Sequence, residues 1–134
     1  MKIIGNLGKL SSSIRQKIKD AVDATKDNTR MTLIIAFSYG SRDEIIHACQ
    51  KAIDSGTKII TEDDFKKHLY DPEMPDVDLL IRPSGVHRMS NFLLWQAAYA
   101  ELYFLDKFWP DFNQNDLDSA IIDYSHRKRN FGAR

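Results

Sequence analysis

The sequence predicts an α/β fold: a partial parallel sheet of about three strands with flanking helices, in a single partial domain over residues 1–134. Three observations lead there. Strand-like and helix-like segments alternate along the chain. The apolar runs LIIAF (33–37) and LLI (79–81) are unbroken, as in strands covered on both faces. Serine or threonine stands just ahead of three of the helical patterns, where a hydroxyl can accept from free backbone amides.

The first strand is KIIGN, which starts almost at the first residue. Ser11, Ser12 and Ser13 then offer caps for a helix with Ile14, Ile18, Ala21, Val22 and Thr25 on one face. DNT breaks it, and RMTLIIAFS (30–38) reads as the second strand. Ser41 followed by Glu44 is a capping-box pattern, opening a helix that stops at Ser55-Gly56. Thr61 caps a short helix, and Pro72 and Pro75 frame a loop. VDLLIRP is the third strand. The spacing then predicts an apolar helix over residues 91–104, ended by WPDF, and a last helix over residues 115–129 with Gly132 as its stop. Three apolar parallel strands leave a long unpaired edge, so something is expected to cover it.

Acidic and basic residues balance at 19 each, without the basic excess of a nucleic-acid-binding domain, so no nucleic-acid partner is expected. The single cysteine, Cys49, allows no disulfide within the chain and reads as a small core residue; a reducing, cytoplasmic location is expected. The N-terminus has no secretory signal pattern. The most apolar segment, 92–105, contains Gln96 and Glu101 and is too short and polar for a bilayer.

The chemistry concentrates in DLLIRPSGVHRMSNFLLWQ, residues 78–96. Arg82 follows the strand directly, and in open parallel sheets ligands bind outside the carboxyl ends of the strands. Arg82, Arg88 and the Ser90 hydroxyl could converge on one anion, and a diphosphate has the oxygens that planar guanidinium groups bind in pairs. The alternative is that both arginines are exposed loop charges. His87 is open between an anion ligand, a metal neighbour and a solvated residue. Glu101, inside an apolar stretch, is either ion-paired with an arginine or linked to Mg²⁺. The basic tail SHRKRNFG suits a helix C-terminus, with a contribution to an interface or an anionic site as the alternative.

These residues carry a resemblance. DLLIRPSGVHRMSNFLLWQAAYAELYFLDKFWPDF closely resembles the C-terminal signature of the cis-prenyltransferase family, the undecaprenyl diphosphate synthases in particular. The family pattern runs D-L-[LV]-I-R-T-[SG]-G-E-x-R-[IL]-S-N-F-L-L-W-Q-x-x-Y-[AS]-E-[LF]-x-F and then W-P-D-F. LIIAFSYGSRDEI is similar to the upstream L-N-I-A-x-N-Y-G-G-R-x-E-I, and RKRNFG to the closing R-x-R-R-F-G. The resemblance implies a Mg²⁺-assisted condensation of isopentenyl diphosphate with an allylic diphosphate in cis. It implies that Arg82, Arg88 and Ser90, with Met89 between them and His87 beside them, bind isopentenyl diphosphate. It makes Glu101 the Mg²⁺-linked carboxylate and His87 a neighbour of the metal. It also implies a homodimer, and peripheral membrane contact through a lipid product.

The departures set a second expectation. Val86 replaces the usual glutamate, Ser41 a glycine, Phe37-Ser38 the usual x-Asn, and Pro83 a common threonine. The family's H-x-x-M-D-G-N-G-R-W-A motif, whose aspartate is the principal Mg²⁺ ligand, is nowhere in these residues, and neither is the S-x-x-N-W-x-R-P segment. The chain is therefore expected to carry the isopentenyl diphosphate half of the site, to be inactive alone, and to be a fragment or a subunit completed by a second polypeptide. The competing expectations are a non-catalytic accessory subunit of a heteromeric enzyme, or an inactive gene product. RNFG lacks the spacing of a strict R-x-G end, and the retained Arg82, Arg88, Ser90 and Glu101 favour the transferase.

Overall fold

A computed structural model describes residues 1–129; the expected stop at Gly132 and the end of RKRNFG lie outside the described residues. The elements are β1 (Lys2–Ile4), α1 (Ser12–Thr25), β2 (Ile34–Ala36), α2 (Ser41–Asp54), α3 (Glu62–Lys66), β3 (Leu79–Pro83), β4 (Glu101–Leu105) and α4 (Gln114–His126). The α/β class and the parallel pairing hold. The strand count is corrected: in place of one sheet of about three strands there are two parallel two-stranded sheets. The chain groups into two compact units, residues 1–74 and 75–134.

In the first unit β1 pairs with β2, Lys2 opposite Ile34 and Ile4 opposite Ala36. Gly5 follows β1 at φ +111°, and a Cβ there would lie 2.2 Å from the Phe37 carbonyl oxygen, so only glycine allows this approach. Ser11 caps α1 as expected, its hydroxyl accepting from the Ile14 amide. The expected burial of 33–37 on both faces is not found: Leu33, Ile35 and Phe37 are exposed, because a two-stranded sheet this short offers cover to one face only. Cys49 is half-buried rather than a core residue.

The capping-box reading of Ser41 and Glu44 is also corrected. Gly40 is the cap of α2, and Ser41 lies one position inside the helix. Glu44 is fully buried, and its carboxylate accepts from the Tyr39 hydroxyl (2.5 Å) and the Tyr70 amide (3.1 Å). A buried carboxylate needs such donors, and tertiary ones have displaced the local one. Ile4, Ala48, Ala52, Phe65, Leu69 and Met74 make this unit's core. Lys2 ties β1 to Asp71 and Glu73, at 3.0 and 2.9 Å.

In the second unit β3 and β4 run parallel, Leu79 opposite Glu101 through Pro83 opposite Leu105. The helix expected over residues 91–104 is absent. Ser90, Asn91 and Leu93 adopt positive φ (49°, 62° and 46°), incompatible with a right-handed helix start. Residues 91–99 wind through turns instead, and ELYFL forms β4. The all-round burial read from the apolar run fails with it: Phe92, Leu94, Tyr99 and Leu102 are exposed, while Gln96 and Ala97 are buried. Helix α4 opens with a capping box, Asn113 accepting from the Asn115 amide and Asp116 from the Asn113 amide. It ends at His126, short of the expected 129. Among the described residues no helix is long and apolar enough to cross a membrane.

Candidate functional site

The loop between β3 and the turns that follow is built around Arg82. Arg82 is the fourth residue of β3 and sits half-buried. Its Nη1 donates to Ser90 Oγ at 2.7 Å and to the backbone carbonyl of Arg88. One guanidinium therefore draws two points of the loop towards the strand's carboxyl end. It spans eight residues of sequence in doing so.

The other end of the loop is held by backbone. The Ser84 and Gly85 amides both donate to the Leu105 carbonyl, at 3.1 and 2.8 Å. Gly85 has φ +65°, and a Cβ on it would lie 2.6 Å from Asp106 Oδ1. Ser84 has φ +122°, and its buried hydroxyl oxygen has no hydrogen-bond partner among the described residues.

A cleft of about 220 Å³ opens here, with Arg82, Arg88, Met89 and Ser90 on one side and Leu80, Ile81 and Phe92 behind them. That is below the roughly 300–1,000 Å³ of a whole small-molecule pocket and has room for a charged head group. Two guanidinium groups and a hydroxyl over an apolar wall suit an anion with several oxygens.

His87 does not line the cleft. It is exposed, and its ring stacks on Phe104 with centroids 4.7 Å apart and planes at 28°. Phe104 lies opposite Arg82 in the sheet, so His87 stands beside the Arg82 end of β3.

Glu101 does not join the group. It is the first residue of β4, opposite Leu79, three positions before Phe104. Three steps along a strand cover about 10 Å and end on the opposite face. Glu101 and Arg82 therefore present their side chains on opposite sides of this sheet. Arg127 Nη1 donates to Glu101 Oε2 at 2.8 Å. This contact holds the Arg127 guanidinium above its ordinary pKa, with Asp123 as the second cause. Arg129 is raised likewise by Asp78, which it meets at 2.5 Å.

Arg127 and Asp123 were not among the residues expected at a site. Their spacing of four on a helix was a usable signal for a mutual pair, but nothing local links either to Glu101. Gly85's closeness to Asp106 is another contact without a local signature.

Comparisons with known proteins place the chain in a family. A family profile described as "Putative undecaprenyl diphosphate synthase" matches residues 1–132. An isoprenyl transferase of Rickettsia sibirica is 63% identical over 134 residues, covering 100% of this chain and 59% of its own. One of Thermotoga maritima is 48% identical over 136 residues, covering 98% of this chain and 58% of its own. A crystal structure of a probable undecaprenyl diphosphate synthase from Campylobacter jejuni superposes with a TM-score of 0.88 at 36% identity, covering 97% of this chain and 61% of its own. Lavandulyl diphosphate synthase from Lavandula x intermedia, solved with dimethylallyl diphosphate, gives 0.92 at 36% identity, covering 98% and 59%. The chain thus spans about 60% of the length of the relatives it matches.

Proposed function

The chain belongs to the undecaprenyl diphosphate synthase family, and from that premise we propose that its β3 loop binds the diphosphate of isopentenyl diphosphate for condensation with an allylic diphosphate in cis. The observation that carries the reading is the Arg82 guanidinium, bonded to Ser90 Oγ and the Arg88 carbonyl at the edge of the 220 Å³ cleft. That contact sets Ser90 and Arg88 on one wall before any ligand arrives, and an ordered anion site loses less entropy on binding. The Arg82 and Arg88 guanidinium groups take diphosphate oxygens, and the Ser90 hydroxyl donates to a third. Leu80, Ile81 and Phe92 give the short isopentenyl group an apolar wall.

Mg²⁺, which the resemblance implies, is commonly held by one or two carboxylates together with phosphate oxygens. The residues present do not fit a cation shared with this loop. Glu101 is on the other face of the sheet and carries Arg127. Among the described residues no three His, Cys, Asp or Glu gather around a common point. No metal-dependent step is assigned to these side chains. In this reading the chain carries the isopentenyl diphosphate half of a site that a second polypeptide or a further segment completes, and it does not turn over alone.

Isothermal titration calorimetry with isopentenyl diphosphate tests the reading. Saturable binding is expected, with affinity falling steeply in Arg88→Ala. Absence of binding, or equal binding by Arg88→Ala, would exclude the loop as the diphosphate site.

A further inference from the structure

Glu101 is a half-buried carboxylate at the start of β4, and three groups fix its surroundings. Arg127 leaves the end of α4 in extended backbone (φ −79°, ψ 139°). Its Nη1 donates to Glu101 Oε2 at 2.8 Å and to the Leu102 carbonyl at 3.1 Å. Its Nε and Nη2 reach Asp123 Oδ2 at 2.7 and 2.5 Å. Asp123 holds the guanidinium from the helix side while Glu101 and Leu102 hold it from the strand side.

Arg129 repeats the arrangement one strand over. It bonds Asp78, the residue before β3, at 2.5 Å, and the Tyr124 hydroxyl at 2.9 Å. The Glu101 amide in turn donates to the Asp78 carbonyl at 2.9 Å. The two arginines together fasten the end of α4 to the amino ends of both strands, while the anion loop sits at the carboxyl end of β3.

We propose that within one chain Glu101 is the anchor of this ionic clasp, and not the ligand of a cation shared with the diphosphate on the same chain's Arg82–Ser90 loop. The register of β3 and β4 puts Glu101 and Arg82 on opposite faces, about 10 Å apart along the strands. A cation approaching Glu101 would also meet the Arg127 charge already on that carboxylate. A partly desolvated carboxylate bonded to a guanidinium that has its own second anchor is an arrangement that stabilises geometry. The clasp stands on the geometry of the second unit alone; the exclusion of a shared cation rests on the loop's binding of diphosphate.

The test uses the full chain with Glu101→Gln, Arg127→Gln and the double variant. Two measurements are made on each: a thermal melt, and Mn²⁺ binding by electron paramagnetic resonance with inorganic pyrophosphate present. Each single substitution is expected to lower Tm by about 2–5 °C, and the double variant to fall no further than the worse single. Mn²⁺ affinity of the pyrophosphate-loaded Glu101→Gln chain is expected to stay within about twofold. A tenfold loss of Mn²⁺ affinity in Glu101→Gln overturns the proposal, and so does an unchanged or additive melt. Should a glutamine variant fail to fold, Arg127→Lys keeps the charge, loses the fork, and is expected to melt lower with unchanged Mn²⁺ binding. If pyrophosphate itself does not bind, the diphosphate reading falls, while the melts still decide the clasp.

Discussion

Arg82 is positioned twice over, by the strand that carries it and by the loop atoms it binds. Its bonds to Ser90 Oγ and the Arg88 carbonyl both come from Nη1, and the rest of the planar fork suits the paired oxygens of an anion. Lysine would keep the charge and lose the shape. Arg82→Lys is therefore expected to weaken isopentenyl diphosphate binding about 10- to 100-fold, the worth of one or two charge-assisted hydrogen bonds, read by calorimetry at fixed salt. Gly85 is constrained for a different reason, its positive φ and the nearby Asp106 oxygen. Gly85→Ala is expected to lose about 1–2 kcal/mol of stability in urea unfolding. That Arg82, Arg88 and Ser90 come together was legible in the sequence because their spacing is local. An arginine was one expected partner of Glu101, but which arginine was not legible, because Arg127 is 26 residues away and only the fold brings it close.

Elements were legible where a local signal decides them. Ser11 and Thr61 cap α1 and α3 through hydroxyls that accept from the Ile14 and Asp64 amides. The stretch from residue 91 was misread because an apolar run has no period of its own. Phe, Trp, Tyr and Leu suit a strand or a buried helix equally, and three left-handed residues at its start decide against the helix. Helix α4 rests on its capping box, so Asn113→Ala is expected to lower Tm by about 3–5 °C, in line with a cap worth about 1 kcal/mol. Asp116 adds a pH dependence. The Lys107 ammonium, at 2.7 Å, and the Asn113 amide hold its carboxyl below the usual 3.8. A carboxyl with a lower pKa in the folded state stabilises the fold above 3.8, and that contribution is lost as pH falls through the folded value. Acid unfolding should show it: Asp116→Asn is expected to be less stable than the parent at pH 6, with the gap narrowing as pH falls below 3.8.

At the scale of the whole molecule the sequence announced α/β class and parallel pairing, and it overcounted continuity. Strand-forming runs say that a strand exists and how buried it would like to be, but not which strand lies beside it. Here β1 takes β2 and β3 takes β4, in two separate sheets. Leu33, Ile35 and Phe37 are exposed in one unit and Leu102 in the other. Ionising an allylic diphosphate needs fixed positive charge where the leaving diphosphate accumulates negative charge. Arg82 and Arg88 both line the 220 Å³ cleft proposed for one diphosphate, and Glu101 faces away from it. No H-x-x-M-D-G-N-G-R sequence occurs in the 134 residues. The purified chain is therefore expected to bind isopentenyl diphosphate yet give no product with labelled isopentenyl diphosphate, an allylic diphosphate and Mg²⁺. Product is expected once a polypeptide bearing that motif is added. Robust turnover by the chain alone would mean that its own residues ionise the allylic substrate, and the assignment of one diphosphate cradle to this loop would have to give way.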